Sequence, residues 1–327
     1  MDPRSPSRVP PARKRPRGGA VHTLITLLTA AVAAATPLVF AALGEVVSER
    51  AGVINLGLEG MMLVGAVVGF LAMNESGSLV AGIGAALVAG ALVASVHAFF
   101  TVTLSANQII SGLGITIGGA GLAAILGSSV VGTPARASFG DLDVPGLSSI
   151  PWLGEILFRQ HLLVYVALLL VPVVWWTFRR TRVGLHLRAV GENPGAADAM
   201  GVSVAGYRYT AVLFGGALAG LAGASLSLAE SPGWSEGMTA GRGWIALALV
   251  IFATWNPLRV LLGAYLFGAF DVLAFRAQII GVDLPSTLLG MIPYIATILV
   301  LIVVTLLGAS KRLGAPNALG TPYVREG

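Results

Sequence analysis

The chain has 327 residues, of which 56% are hydrophobic and only 11% charged, with a formal net charge of +5. A soluble domain of this size carries about 25% charged residues, so this composition excludes an ordinary water-soluble globule and points to burial in lipid. With no cysteine, neither a disulfide framework nor a thiolate metal site is available.

Residues 1–20 are rich in Pro and Arg, which predicts a disordered basic tail held at a membrane surface by charge. The apolar run that follows continues to Val47, past the short core of a signal peptide, and reads as a retained first span. About 20 apolar residues cross a bilayer. On that measure candidate segments lie near 22–47, 53–73, 79–104, 107–131, 161–178, 209–229, 243–254, 257–275 and 286–308. The fold class is all-α and polytopic.

Basic clusters favour the cytoplasmic side: the first tail, Arg179 to Arg208, and Lys311-Arg312. Five segments before Arg179 leave one cluster on the wrong side, so one segment is expected to enter and leave on the same face. Segment 107–131, split by Gly118-Gly119, is the expected hairpin. This predicts about eight full spans plus that hairpin, ten helices with both halves counted. Both termini are then cytoplasmic, with 311–327 as an inner tail and 132–160 as an outer loop. Arg50, Arg136, Arg159, Arg242 and Arg276 fall outside.

A faint internal echo pairs the stretch from Arg50 to Leu58 with that from Arg242 to Leu249. Such paired, interrupted apolar segments mark repeats in transporters.

Catalytic constellations are lacking. The two lysines, Lys14 and Lys311, stand in no Gly-Lys-[Ser/Thr] context, so ATP cannot be bound here by a P-loop. Enzymatic activity, a cofactor and a metal site are not expected.

Between two spans, the loop 179–208 contains Glu192, then Asn193 as a helix N-cap, Pro194 at the first helical position and Gly201 as a terminator. Such a short capped helix suits docking to a partner. Its Gly195-Ala196-Ala197, three residues and then Gly201 resembles the coupling motif of permease subunits of ATP-binding-cassette (ABC) importers, with Gly195 in place of the motif's Glu. Ser48 to Gly60, Gly241 to Leu247 and Trp255-Asn256-Pro257 are similar to signatures of nucleoside and simple-sugar permeases. The resemblance covers about Pro37 to Leu307. It implies a type II ABC importer-like bundle in a bacterial cell membrane. It also implies a separate ATPase that docks on Glu192, Asn193, Pro194, Gly195, Ala196, Ala197, Asp198 and Gly201. A second permease chain, possibly different, and an extracellular solute-binding lipoprotein complete the implied assembly. Nucleosides are the implied cargo, with ribose-like sugars or branched-chain amino acids as alternatives. An autonomous channel or secondary carrier is the competing class.

Charge inside a bilayer costs about 2.5–3.5 kcal/mol per residue, so intramembrane polar residues are candidate solute contacts. Asn55, Glu59, Asn107, Gln108 and Trp244 are the expected pathway residues, in the outer half of the membrane. The competing reading gives Asn55 and Glu59 to backbone hydrogen bonds, Asn107 to a helix cap and Trp244 to an interfacial anchor. Asp271 is expected to pair with Arg276 or to be solvated.

Overall fold

The computed structural model describes residues 19–279, 288, 291–306 and 314–325. The basic tail 1–18 and Lys311-Arg312 lie outside the described residues. The elements in order are α1 (Gly19–Arg50), α2 (Leu58–Ser76), α3 (Leu79–Ala98), α4 (Gln108–Gly127), α5 (Leu153–Leu157), α6 (Leu162–Arg180), α7 (Arg182–Glu192), α8 (Pro194–Ala199), α9 (Val204–Ser225), α10 (Arg242–Phe252), α11 (Pro257–Ile279) and α12 (Ile292–Leu306). A two-stranded antiparallel ribbon, β1 (Asp141–Asp143) with β2 (Arg159–His161), decorates the segment between α4 and α6. Single π turns extend α3 to Thr103 and α9 to Glu230. Seven of the described helices are long and apolar enough to cross a membrane, and the chain is a multi-pass, all-α membrane protein.

The helices pack on small residues, as expected where lipid supplies no hydrophobic drive between them. A Cβ on Gly44 would stand 2.8 Å from Gly215 O, so α1 and α9 cross backbone to backbone. Gly90 of α3 meets Gly216 and Gly220 of α9, and Gly119 of α4 meets Gly60 of α2.

Contacts at the helix ends fix the path. At its start, α1 meets the segment before α6: Thr29 O accepts from Gln160 Nε2 at 3.0 Å. Its far end meets α7 and the C-terminal segment, where Arg50 Nη1 donates to Gly314 O at 3.2 Å. At about 1.5 Å per residue, its 32 residues reach about 48 Å. One face of the bundle therefore carries 132–160 and the other carries α7, α8 and 314–325.

Three expectations fail on this path. The hairpin at 107–131 does not form: α4 runs unbroken through Gly118-Gly119, because Gly119 is a packing site against α2 and Gly118 faces open space. Five helices cross before Arg180, so the parity is odd. The two ends of the described chain accordingly lie on opposite faces rather than sharing one. Arg50 sits on the α7–α8 face, not beside Arg136 and Arg159.

The real interruptions are 51–57 and 231–241, neither of which is helical. From the end of α1, residues 51–57 turn back into the bundle, and α2 starts part-way along it. From the end of α9, residues 231–241 enter from the opposite face. Helix α10 then runs back towards the α7–α8 face, where Trp255 bonds Glu49 of α1. Its 11 residues cover about 16 Å, half a bilayer core. Helices α1–α4 and α9–α12 thus trace the same sequence of moves in opposite senses, which is the inverted form of the repeat that Arg50 and Arg242 hinted at.

Candidate functional site

Non-helical backbone inside a membrane must find partners within the protein. In 51–57 it finds them in side chains. Ile54 N donates to Gln108 Oε1 at 2.8 Å, and Asn55 N to Glu45 Oε1 at 2.9 Å. Gly57 N donates to Asn55 Oδ1, an Asx turn. Thr116 Oγ1 donates to Leu56 O at 2.8 Å. His97 Nε2 lies 3.0 Å from Ile54 O and Nδ1 3.0 Å from Ser111 Oγ. A carbonyl only accepts, so in the neutral ring Nε2 carries the proton and Nδ1 accepts from Ser111. All of Glu45, Asn55, His97 and Gln108 are buried.

The second interruption meets the first through Glu59, in the first turn of α2. Glu59 Oε1 accepts from Thr239 Oγ1 at 2.6 Å and from Gly241 N at 2.8 Å, and Oε2 from Gly243 N at 2.7 Å. The carboxylate therefore caps α10, where orphan amides and the helix dipole favour negative charge. Beside it, Arg242 pairs with Asp271 at 2.6 Å, in place of the expected Asp271–Arg276 contact. Tyr294 of α12 donates to Ala240 O at 2.5 Å.

Residues 231–241 themselves form a string of turns, with positive φ at Gly233, Gly237, Ala240 and Gly241. They border a cavity of about 490 Å³ lined by Leu226, Glu230, Pro232, Trp234, Met238 and Arg242, among others. Here polar atoms are left over: Glu230 Oε1 and Trp234 Nε1 are buried without a hydrogen-bond partner among the described residues. A smaller cavity of about 180 Å³, which shares Arg242, reaches Asp271 and Tyr294. Together they lead from the 132–160 face to the start of α10.

The five expected pathway residues are therefore divided. Asn55 and Gln108 belong to the 51–57 scaffold, at the end nearer α7 and α8 rather than the other half. Asn107 caps α4 through Ile109 N and Ile110 N. Glu59 is spent on the start of α10. Trp244, on α10, is exposed. Glu230, Trp234, Thr239 and Tyr294 were not singled out in the sequence; Ser231-Pro232-Gly233 marks a break there, but not its depth.

On the other face, α8 forms as the loop residues predict. Asn193 Oδ1 accepts from Ala196 N at 3.0 Å, Pro194 opens the helix and Gly201 follows it with φ of 80°. Ala197 packs inward with Val190 and Val204, while Gly195, Ala196, Ala199 and Met200 are exposed. The C-terminal segment straps this region. Asn317 Nδ2 donates to Glu192 at 2.9 Å, Arg325 pairs with Asp198 at 3.0 Å, Ala318 N donates to Gly191 O, and Gly320 N donates to Gly52 O.

Comparison with known proteins gives this arrangement a family. Residues 27–306 match the family described as the permease component of the branched-chain amino acid transport system. The chain belongs to this permease family. A permease protein of Haloferax volcanii named for a glucose ABC transporter is 46% identical, over 92% of this chain and 98% of its own. The nucleoside ABC transporter permease protein of Lactococcus lactis is 38% identical, over 94% and 99%. The guanosine ABC transporter permease protein of Bacillus subtilis is 34% identical, over 93% and 98%. No solved structure matches the permease. Membership makes it a transport subunit, and implies association with an ATPase and a solute-binding protein.

Proposed function

We propose that this permease is the membrane subunit of an ATP-driven importer of nucleosides or a related sugar-containing solute. The face of α7 and α8 is cytoplasmic in this reading, since Arg179, Arg180, Arg182 and Arg188 cluster there. The start of α1 is then external and 314–325 internal, within a cell membrane. Residues 21–310 are the permease domain, with 132–160 outside and 179–208 as the coupling loop. The ATPase docks on the exposed side of α8, and a second permease chain and an external binding protein complete the assembly.

The observation that carries the reading is the second interruption: a cavity lined by Glu230, Trp234, Met238 and Arg242 ends at a half-length helix held by Glu59. The carboxyl of Glu230 and the guanidinium of Arg242 in its lining can accept from and donate to the hydroxyls and ring edges of a nucleoside. Relatives named for nucleosides, guanosine and glucose support the same class.

Uptake of labelled nucleoside into cells expressing the full importer tests this, with unlabelled guanosine, adenosine, glucose, ribose and leucine as competitors. Competition by nucleosides or sugars is expected; competition by leucine alone overturns the substrate class. A flexible Gly/Ser stretch in place of Gly195–Met200 is expected to abolish uptake and ATPase assembly together. Unaided flux by the purified chain in vesicles would instead favour a channel.

A further inference from the structure

Four arginines meet at the α7–α8 face. Arg50 at the end of α1, Arg179 at the end of α6, Arg188 on α7 and Arg259 in the first turn of α11 line one cavity of about 310 Å³. Trp175, Thr254 and Asn256 share its wall. The guanidinium groups are positioned by neutral partners. Arg50 Nη2 donates to Trp255 O at 3.3 Å, Arg188 Nε to Gly184 O at 3.3 Å and Arg259 Nη1 to Thr254 Oγ1 at 2.5 Å. Arg179 lies over the Trp175 ring, 5.2 Å from its centroid. Two carboxylates lie nearby: Glu49 accepts from Trp255 Nε1, and Glu192, which accepts from Asn317, offsets part of the charge of Arg50. None of the four arginines is in an ion pair among the described residues.

Four like charges around one hollow repel each other, and a bound anion removes that cost. Arginine's planar fork matches phosphate oxygens two at a time. The cavity also sits where Trp175 and Trp176 close the α6 span, the level at which aromatic belts mark the lipid interface. Basic pockets between spanning helices on a cytoplasmic face suit anionic headgroups. An apolar cleft of about 340 Å³, lined by Leu170, Val173, Val174 and Phe214 among others, shares Phe178 with the basic cavity. An amphiphile, rather than a free ion, fits such a neighbourhood.

We infer that this pocket holds the phosphate headgroup of an anionic phospholipid. The inference rests on the pocket and on the proposed cytoplasmic side of the α7–α8 face, and is independent of the solute carried.

The test uses the full chain in detergent, with the melting temperature followed as phosphatidylglycerol, phosphatidylcholine or inorganic phosphate is added at matched concentrations. Phosphatidylglycerol is expected to raise the melting temperature, and the other two are not. Arg188→Gln with Arg259→Gln is expected to raise the half-saturating lipid concentration about tenfold or more. Arg180→Gln with Arg182→Gln removes the same charge outside the pocket and should leave it unchanged. If the glutamine pair does not fold, Arg188→Lys with Arg259→Lys keeps the charge without the fork and is expected to weaken the lipid effect about threefold. Equal effects of the pocket and control pairs overturn the inference, as does an equal response to phosphatidylcholine. A shift reproduced by phosphate alone makes the ligand a free ion and also overturns it. So does a pocket pair with normal lipid response that loses only its assembly with the ATPase, which would assign the arginines to a protein partner.

Discussion

The two interruptions of this permease solve the same problem in different ways. At 51–57, side chains from α1, α3 and α4 reach in and satisfy the open backbone, and the segment is closed. At 231–241, the chain makes turns of its own, borrows Glu59, Tyr294 and Gly132 for the rest, and borders a cavity. Intramembrane polarity here substitutes for helical hydrogen bonds and, in the proposed reading, also offers a surface for cargo. Glu59 stands between them, since it belongs to the first half of the chain and caps the broken helix of the second.

Severing that link should have the largest effect. Glu59→Ala leaves Thr239 Oγ1, Gly241 N and Gly243 N without their acceptor, at a cost of about 2–5 kcal/mol. Thermal unfolding of the purified chain should register it, and uptake should be lost. Gln at the same position keeps the volume but turns an amide NH2 towards backbone N–H, so it should rescue little. A Glu59→Ala protein with unchanged stability would mean that α10 is held by something else. Opening the closed interruption comes next. Gln108→Ala strands Ile54 N and is expected to cost about 1–3 kcal/mol. Here uptake per folded molecule should stay near normal, because the defect is in the scaffold. A change in substrate affinity without a change in stability would move Gln108 from scaffold to pathway.

How far these roles were legible in the sequence follows from what kind of signal each leaves. Apolar length marked every spanning segment, and the cap logic of Asn193, Pro194 and Gly201 placed α8 within a residue. Glycines misled at Gly118-Gly119, because close helix packing and a chain reversal call for the same residue type; only the neighbour, Gly60, tells them apart. Side choice failed at Arg50, which reads as a loop charge but is tied to Gly314 and Trp255 across more than 200 residues. The polar residues Asn55, Glu59 and Gln108 stood out correctly as unusual. Their use could not be read, since Gln108 and Ile54 are brought together by tertiary packing alone. Glu230 was hidden for the opposite reason: next to Ser231-Pro232-Gly233 it looks like an ordinary loop carboxylate.

Glu230 also offers the sharpest contrast with the least disturbance. Its Oε1 accepts no hydrogen bond from the described residues, so Glu230→Gln, nearly isosteric, breaks no hydrogen bond there. Stability should change by less than about 1 kcal/mol, since no hydrogen bond among the described residues is broken. A carboxyl that lines the proposed solute cavity, however, gives up one of its two oxygens when it becomes an amide. The concentration for half-maximal uptake should rise about tenfold, equivalent to about 1.4 kcal/mol. Measured beside Gln108→Ala, the pair forms a crossed test: one variant loses stability and keeps affinity, the other keeps stability and loses affinity. If Glu230→Gln unfolded the protein while transporting normally, the open interruption would be scaffold as well, and the solute path would lie elsewhere in the bundle.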